Sequence, residues 1–348
     1  TTFGGYNHQL SCQEGQFFDM RNMTSQYFPI LSPRQNRGIV KHIENPQGVL
    51  EKEDIMWIAD GKLYINGEEK ELKDITLSSK TPKTMAKMGA YVIIMPDKVW
   101  YNANNGECGK MEHKNEFTGE HISFSLCEAN GSVIKYQYSP YYETNEPKDG
   151  DYMMSVKNGK PSLKVYSATT KSWLTVTSTY VQLSKKGIGI GFEKEDGVKI
   201  TSALGGDGYQ TLEYIFVNEE EDGSRSTNTW IVDRTDDSIT IPGIYKRPVA
   251  VGNGPRKDPL FKIERKTPDM DFITECNNRL WGCSKDGHEI YCCKLGDVKN
   301  WNCFRGISTD SWAATIGSDG KFTGAITYLG YPMFFKEDSL IKVAIGTT

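Results

Sequence analysis

Four stretches of the chain place a polar turn between two short apolar runs. In residues 277–298 the apolar run 280–282 precedes a turn that contains Asp286-Gly287, and the apolar run 290–293 follows it. Asp-Gly accepts the positive φ angles that a tight turn requires, and the flanking residue types favour strands. The pattern therefore predicts a β-hairpin.

The same pattern of run, turn and returning run occurs three more times. The other copies are residues 54–66 with the turn Asp60-Gly61, residues 90–101 with the turn Pro96-Asp97, and residues 328–345 with the turn 336–338. Four copies of strand, turn and strand indicate a repeated antiparallel unit.

The spacing of the copies indicates the kind of repeat. Tyr64 and Tyr101 are 37 residues apart, and Tyr291 and Ile341 are 50 residues apart. These distances bracket the length of a four-stranded propeller blade and do not suit a helical solenoid. The sequence therefore predicts an all-β fold, with a β-propeller first; a β-sandwich or a string of small β domains would give a similar pattern.

Apolar residues within the hairpins define the predicted core. Strand side chains alternate between faces, and one face of every blade must be dry, so one apolar residue from each arm should pack between neighbouring blades. These pairs are Trp57/Leu63, Ile93/Val99, Trp281/Ile290 and Phe334/Leu340.

The middle of the chain, from about residue 106 to residue 266, follows a different pattern. Apolar and polar residues alternate in 132–138, 162–166, 172–176 and 212–217, and turn residues such as Asn158-Gly159 separate these runs. The alternation predicts strands. Since the hairpins stop before this region and resume after it, we expect a β domain inserted between blades; degenerate blades are the alternative.

The first 50 residues lack this hairpin pattern. Pro29 and Pro33 exclude a helix through residues 27–34, and the chain there carries little periodicity. We expect an extended arm that lies over other structure.

The passages at the two ends of the chain that carry a resemblance are residues 3–7, 14–23 and 27–34, the first two hairpins, and residues 278–282, 294–301, 322–326 and 333–338. They resemble a family of tailed-bacteriophage structural proteins often labelled stabilization proteins. In that family such passages are blade strands and the turns between them. The family resembles in turn the propeller proteins that close the head-to-tail channel of short-tailed phages.

The resemblance and the hairpin pattern together predict a domain order. Residues 1–50 form an N-terminal arm and closing strand, 51–105 propeller blades, 106–266 the inserted β domain or degenerate blades, and 267–348 further blades. In propellers the first strand commonly completes the last blade. We therefore expect the strand near Thr2 to Tyr6 to pair with the C-terminal hairpin around Leu340 to Ile345.

Charge and composition restrict the partners. A net charge of −4 argues against tight, sequence-independent DNA binding, and the cation-containing stretches 80–87 and 246–265 are expected to be solvated faces. No apolar run approaches the length of a membrane-spanning helix. The eight cysteines lack zinc-site spacing; adjacent Cys292 and Cys293 would point to opposite faces of a strand, so free, mostly buried thiols are expected.

Motifs that could carry chemistry are weak. The Gly-rich stretches 187–191 and 205–208 lack the spacing of nucleotide-binding loops, and none of the five histidines lies in a recognisable nucleophile context. The turn at residues 284–289 differs from the repeated sialidase turn, since glycine comes one position early. The sequence therefore assigns no catalytic residue, no cofactor-binding residue and no metal ligand.

The resemblance implies a non-enzymatic virion structural protein, a propeller scaffold at the head-to-tail or tail channel. Its expected partners are other virion proteins, including copies of itself in a ring, and its expected locations are the virion and, during assembly, the host cytoplasm. No cofactor, membrane or sequence-specific nucleic-acid contact is expected. The alternative is a propeller that binds glycans or a host surface, in the manner of a receptor-binding or sialidase-like protein.

Overall fold

The computed structural model describes residues 3–7, 9–39, 41–203, 214–245 and 258–344, and within these ranges the protein is all-β. Strands and turns account for the described chain except for one 3-10 helix, Ser139–Glu143. No helix in the described ranges is long and apolar enough to cross a membrane. The chain divides into two compact units, Thr1–Glu44 and Asn45–Thr348.

The N-terminal unit contains two small sheets. Its strands are β1 (Gly5–Tyr6), β2 (Gln16–Phe17), β3 (Met23–Tyr27) and β4 (Ile30–Pro33). β1 and β2 pair in parallel, whereas β3 and β4 form an antiparallel hairpin. Because β1 is paired with β2, and because Thr2 and Ile345 lie outside the described residues, closure by the strand near Thr2 to Tyr6 stays a prediction.

The larger unit begins with eight strands that form two four-stranded sheets. They are β5 (Pro46–Lys52), β6 (Asp54–Ala59), β7 (Lys62–Ile65), β8 (Glu68–Lys70), β9 (Thr84–Met88), β10 (Tyr91–Met95), β11 (Val99–Asn102) and β12 (Cys108–Lys110). Each sheet is an antiparallel meander in chain order, β5 to β8 and β9 to β12. β12 extends the second sheet past residue 105, where the blades were predicted to stop.

The middle strands form three further sheets. They are β13 (His113–Phe117), β14 (Ser123–Cys127), β15 (Tyr136–Tyr138), β16 (Tyr152–Lys157), β17 (Lys160–Ser167), β18 (Ser172–Thr175), β19 (Tyr180–Ser184), β20 (Gly197–Ser202), β21 (Asn218–Glu219), β22 (Arg225–Trp230), β23 (Asp233–Thr235), β24 (Ser238–Pro242) and β25 (Phe261–Arg265). The sheet orders are β13-β25-β20-β22-β21, β14-β19-β24-β23 and β15-β16-β17-β18. None of these strands pairs with a strand outside residues 113–265 in the described ladders, and the three sheets share one apolar core.

The last strands return to the meander pattern. They are β26 (Phe272–Glu275), β27 (Leu280–Cys283), β28 (Glu289–Cys292), β29 (Trp312–Thr315), β30 (Phe322–Tyr328), β31 (Tyr331–Lys336) and β32 (Leu340–Lys342). β26 to β29 form a four-stranded sheet and β30 to β32 a three-stranded one. All four predicted hairpins are confirmed: β6–β7, β10–β11, β27–β28 and β31–β32.

Turn chemistry explains the first of these hairpins. Asp60 and Gly61 have φ angles of +50° and +73°, which are the left-handed values that a two-residue turn between twisted strands requires. Asn158-Gly159 has the same geometry between β16 and β17. These turns fix the register of the strands that they join.

The predicted core pairs lie on adjacent strands, but three of the four do not share a face. Trp57 is opposite Tyr64, and Leu63 is opposite Ile58, so Trp57 and Leu63 point to opposite sides of the sheet. The pairs Ile93/Val99 and Phe334/Leu340 are offset in the same way, and Leu340 is exposed. Trp281 and Ile290 do share a face. The predicted pairing was one residue out of register, which moves a side chain to the other face.

The four meander sheets stack in chain order, with the middle region inserted between the second and the third. β9 lies against both β5 and β26, and β26 lies against β30. One apolar layer separates each pair of neighbouring sheets. The β9–β12 sheet is therefore dry on both faces: Val99 packs toward β5–β8, and Ile93 packs toward β26–β29.

One predicted strand in the middle region is wrong in its described part, and another is confirmed only in part. Residues 214–217 are not a strand, although Ile215 and Phe216 are buried in the core of the middle sheets; Leu212 lies outside the described residues. In 132–138 only β15 is a strand, and Val133 makes an isolated bridge. Ile215, Phe216 and Ile134 pack into or against the core from a turn or an irregular segment, whereas Val133 is exposed.

The cysteines are free thiols, and six of the eight are buried. Cys292 packs in the layer toward β30–β32, and Cys293 packs in the layer toward β9–β12, so the prediction that they point to opposite faces is confirmed. Burial raises the pKa of the Cys292 thiol to about 12. These thiols pack as small apolar side chains.

Candidate functional site: assembly surfaces and a charged junction

His113 and the Gly-rich residues 187–191 have structural surroundings. His113 Nε2 lies 2.9 Å from the carbonyl oxygen of Ile190, and its ring packs against Phe192. Residues 187–191 form turns, whereas residues 205–208 lie outside the described residues. Among the residues described, no group of three or more His, Cys, Asp or Glu side chains is arranged to hold a metal ion.

The β3–β4 hairpin presents apolar side chains to solvent. Tyr27 and Ile30 are cross-strand partners, and they are 58% and 66% exposed. Phe28, between them, is also exposed. A short two-stranded hairpin contributes little burial of its own, so the aromatic and aliphatic side chains at its tip form an apolar surface open to solvent.

The β30–β32 sheet leaves one of its faces open. Phe322 and Phe334 are fully buried against β26–β29, whereas Ile326, Phe335 and Leu340 on the other face are exposed. On the same face the Lys342 ammonium lies 3.6 Å from the centroid of the Tyr331 ring. This face of the β30–β32 sheet therefore exposes apolar side chains next to one another.

The edge of the same sheet is also open among the described residues. The three other stacked sheets have four strands each, but here β32 pairs only with β31. Val343 N donates to Pro332 O and Lys336 N donates to Ser339 O, so residues 339, 341 and 343 use their backbone groups toward β31. The backbone groups of Leu340 and Lys342 therefore point outward, where an added strand could pair with them.

A charged junction joins the loop before β20 to the loops around β28 and β29. We use this name for Glu193, Glu195, Asp196, Arg265, Lys294, Lys299, Arg305 and Asp310. At its centre Arg265 and Asp196 are both buried and form an ion pair at 2.5 Å. Arg265 Nε also donates to Met111 O at 3.1 Å. Burial raises the pKa of Asp196, and the neighbouring Arg265 charge opposes that rise.

Further ion pairs, most of them with one exposed carboxylate, surround this buried pair. Glu193 contacts Lys299 at 2.8 Å, Glu195 contacts Lys294 at 2.7 Å, and Arg305 bridges Glu195 and Asp310 at 2.5 and 2.9 Å. These contacts connect the middle sheets to the β26–β29 sheet.

Backbone contacts bring the same segments together. Asn300 Oδ1 accepts from Gly197 N at 3.1 Å, and Asn300 Nδ2 donates to Glu195 O at 2.7 Å. A Cβ at Gly197 would lie 2.1 Å from the carbonyl carbon of Asn302, so only glycine permits this approach.

Three carboxylates of the charged junction have lowered pKa values, so the fold should lose stability at acid pH. A hydrogen bond from Lys299 lowers the pKa of Glu193 below its ordinary 4.5, and one from Lys294 lowers that of Glu195. For Asp310, burial raises the pKa, but bonds from Arg305 and nearby backbone amides bring it below 3.8. A carboxylate whose pKa is lower in the folded than in the unfolded protein stabilises the fold at pH values above its unfolded pKa. This contribution is lost as the pH falls through the folded pKa.

We therefore expect the melting temperature to fall below about pH 4.5 partly through these groups. Glu195→Gln should be less stable than the wild type at pH 7, and the difference should shrink as the pH falls, because the wild type then loses the same charge. Glu221→Gln, in the exposed turn before β22, is the control, with a small difference at every pH. Thermal unfolding from pH 7 to pH 3 measures both. A Glu195→Gln difference that stays constant on acidification would contradict this role.

Sequence reasoning missed the junction and misassigned several cations. The stretches 80–87 and 246–265 were expected to be solvated, but Lys83, Lys87 and Arg265 are buried. Lys83 forms an ion pair with Asp97, and Lys87 contacts Glu53 at 2.8 Å. The partner of Arg265 is 69 residues away, and no local pattern connects the two. The acidic residues 219–222 lie at the surface, where Glu220 contacts Lys199 at 2.7 Å.

Comparison with protein-family models and with curated proteins finds no match to this chain.

Proposed function

We propose that this chain is a non-enzymatic structural protein of a tailed-bacteriophage virion, a propeller scaffold at the head-to-tail or tail channel that stabilises the particle through protein–protein contacts. The observation that carries the proposal is the apolar surface left open on the β3–β4 hairpin and on the β30–β32 sheet. The resemblance at both ends of the chain supplies the class of particle. Two open apolar surfaces on one chain suit a protein whose partners surround it.

The stacked sheets support the propeller part of the proposal. Four antiparallel meanders follow one another, and the first strand of each lies against the first strand of the next, as the inner strands of blades do. On this proposal the β30–β32 sheet is a blade whose open face is covered by a neighbour, and its fourth strand position is the expected place of the closing strand near Thr2 to Tyr6. Copies of the chain arranged in a ring would repeat each weak contact, so the ring would be held more tightly than any one contact allows.

Incorporation into virions tests the hairpin contact. The double variant Tyr27→Ser/Ile30→Ser removes two exposed apolar side chains, so the melting temperature of the free protein should change little. Burial of these two side chains against a partner favours binding. Their removal should therefore lower incorporation at least about tenfold. Quantitative mass spectrometry of particles purified from phage carrying each variant gives the copy number.

Gln26→Ser, an exposed polar change in the same hairpin, is the matched control and should leave incorporation unchanged. Equal copy numbers of the wild type and the double variant would remove the hairpin from the interface. Absence of the wild-type protein from purified virions would overturn the proposed function itself.

Glycan binding is the second candidate, and one cluster favours it. Tyr142 lies 4.9 Å from Trp173 and Tyr166 lies 5.3 Å from Trp173, measured between ring centroids, on one face of the β15–β18 sheet. Tyr141 beside them is exposed. Aromatic rings on a surface stack on sugar rings, so glycan-array binding that Trp173→Ala abolishes would favour this candidate over the structural one.

A further inference from the structure

A cavity of about 280 Å³ lies at the outer part of the β26–β29 sheet, beside the chain that follows β32. Its walls include Arg279, Trp281, Ile307, Trp312 and Val343. The volume is just below the range of drug-sized pockets, so a ligand of this cavity would be a small molecule or a single side chain. The cavity is separate from the apolar surfaces on which the proposed function rests.

The cavity contains a buried cation without a counter-charge. Arg279 is only 9% exposed, and no carboxylate forms an ion pair with it among the described residues. Its Nη1 donates to the carbonyl oxygens of Cys293 at 2.9 Å and Asp310 at 2.6 Å, and its Nη2 donates to Ser308 O at 2.5 Å. The Asp310 carboxylate is itself engaged by Arg305.

These three carbonyls hold the guanidinium in place but do not neutralise it. A guanidinium has five N–H groups, so the Nε–H and one Nη2–H of Arg279 remain without an acceptor in the described structure. Buried charges are normally paired because desolvation of a lone charge is costly. The Arg279 guanidinium therefore has no anionic partner among the described residues.

A second donor lies in the same wall. The indole Nε1 of Trp281 is buried and has no hydrogen-bond partner among the described residues, and the Trp281 side chain is only 4% exposed. Its ring centroid lies 5.7 Å from that of Trp312, which is partly exposed. Unpaired donors therefore stand beside apolar and aromatic walls.

We propose that this cavity binds a carboxylate carried on a small apolar group. The carboxylate pairs with the Arg279 guanidinium, which offers two donors in the planar arrangement that a carboxylate accepts. The apolar group packs against Trp312, Ile307 and Val343. Either a free organic acid or an acidic group at the end of a partner's peptide has this chemistry.

Titration with benzoate and with its neutral isostere benzamide tests the proposal, with tryptophan fluorescence and calorimetry as readouts. Benzoate should bind and raise the melting temperature, and benzamide should bind at least about tenfold more weakly, because a charge-assisted bond is worth about a tenfold factor. Equal affinity for the two, or no benzoate binding up to about 20 mM, which is weaker than the millimolar affinity of a minimal ligand, would overturn the proposal.

Two variants separate loss of the site from loss of the fold. Arg279→Gln should lose benzoate selectivity, but it could also unfold the protein because it releases three carbonyls. Ile307→Glu changes an exposed residue and places a competing carboxylate at the cavity, so it should keep the fold and still weaken benzoate binding about tenfold. If Ile307→Glu binds benzoate as the wild type does, the cavity is not the site.

A binding experiment with peptides distinguishes the two sources of the carboxylate. A short peptide that ends in phenylalanine with a free C-terminus is compared with the same peptide carrying a C-terminal amide. Tighter binding of the free acid than of benzoate assigns the cavity to a partner's chain end, whereas benzoate binding without peptide binding assigns it to a small acid. Both results support a carboxylate site.

Discussion

Replacing Phe334 by alanine is expected to lower the free energy of unfolding by about 3 to 5 kcal/mol, the usual cost of truncating a fully buried phenylalanine. Phe334 is 0% exposed and lies in the layer between β26–β29 and β30–β32, where Phe322 and Trp281 also pack. The truncation leaves a cavity that two opposed sheets cannot close. Chemical denaturation of the purified protein measures the loss.

Phe335 provides the matched control. It is the next residue on β31, it is 40% exposed, and it points to the opposite face of the sheet. Phe335→Ala should cost about 1 kcal/mol or less in the isolated protein. If the two substitutions cost the same, the layer between these sheets does not organise the core.

Replacing Asp196 by alanine is expected to cost about 3 to 5 kcal/mol, because it leaves the Arg265 guanidinium buried without its counter-charge. Both side chains are almost fully buried, and they join the loop before β20 to β25. The double variant Asp196→Ala/Arg265→Met should be more stable than Asp196→Ala alone, since it removes the unpaired charge. Denaturation of the wild type, of the single variants Asp196→Ala and Arg265→Met, and of the double variant gives the coupling energy.

The ion pair between Lys194 and Asp233 is the control for this change. Lys194 is two residues from Asp196 in the sequence. Its ammonium lies 2.8 Å from the Asp233 carboxylate, but the Lys194 side chain is 64% exposed. Asp233→Ala should therefore cost about 1 kcal/mol or less. If Asp196→Ala and Asp233→Ala lower the free energy of unfolding equally, burial does not increase the contribution of the Asp196–Arg265 pair to stability.

Local features of the fold could be predicted from the sequence. Asp60-Gly61 and Asn158-Gly159 lie where hairpin turns form, because their conformational preference acts within a few residues. The opposite faces of Cys292 and Cys293 follow from the alternation of side chains along any strand. These features need no knowledge of distant partners.

Features set by distant contacts could not be predicted. The register error at Trp57 and Leu63 arose because apolar residues occupy both faces of stacked sheets, so the pattern alone does not choose between registers. Ile215 and Phe216 were taken for a strand because a buried turn has the same apolar character.

The buried cations were missed for a related reason. Nothing local to Arg265 or Arg279 distinguishes it from a surface cation, because burial of these side chains depends on contacts across the fold. Asp196 and Arg265 are 69 residues apart in the sequence. Every residue has a backbone carbonyl, so the carbonyls that bind Arg279 cannot be recognised from residue types.

High-resolution electron microscopy of the purified particle shows whether this chain lies at the channel. We expect density for this chain at the head-to-tail or tail channel, with the stacked meander sheets as blades, and with protein of a neighbour covering the open face of β30–β32 and the β3–β4 hairpin. Particles whose channel density fits no copy of this chain, or copies whose apolar faces remain bare, would contradict this expectation.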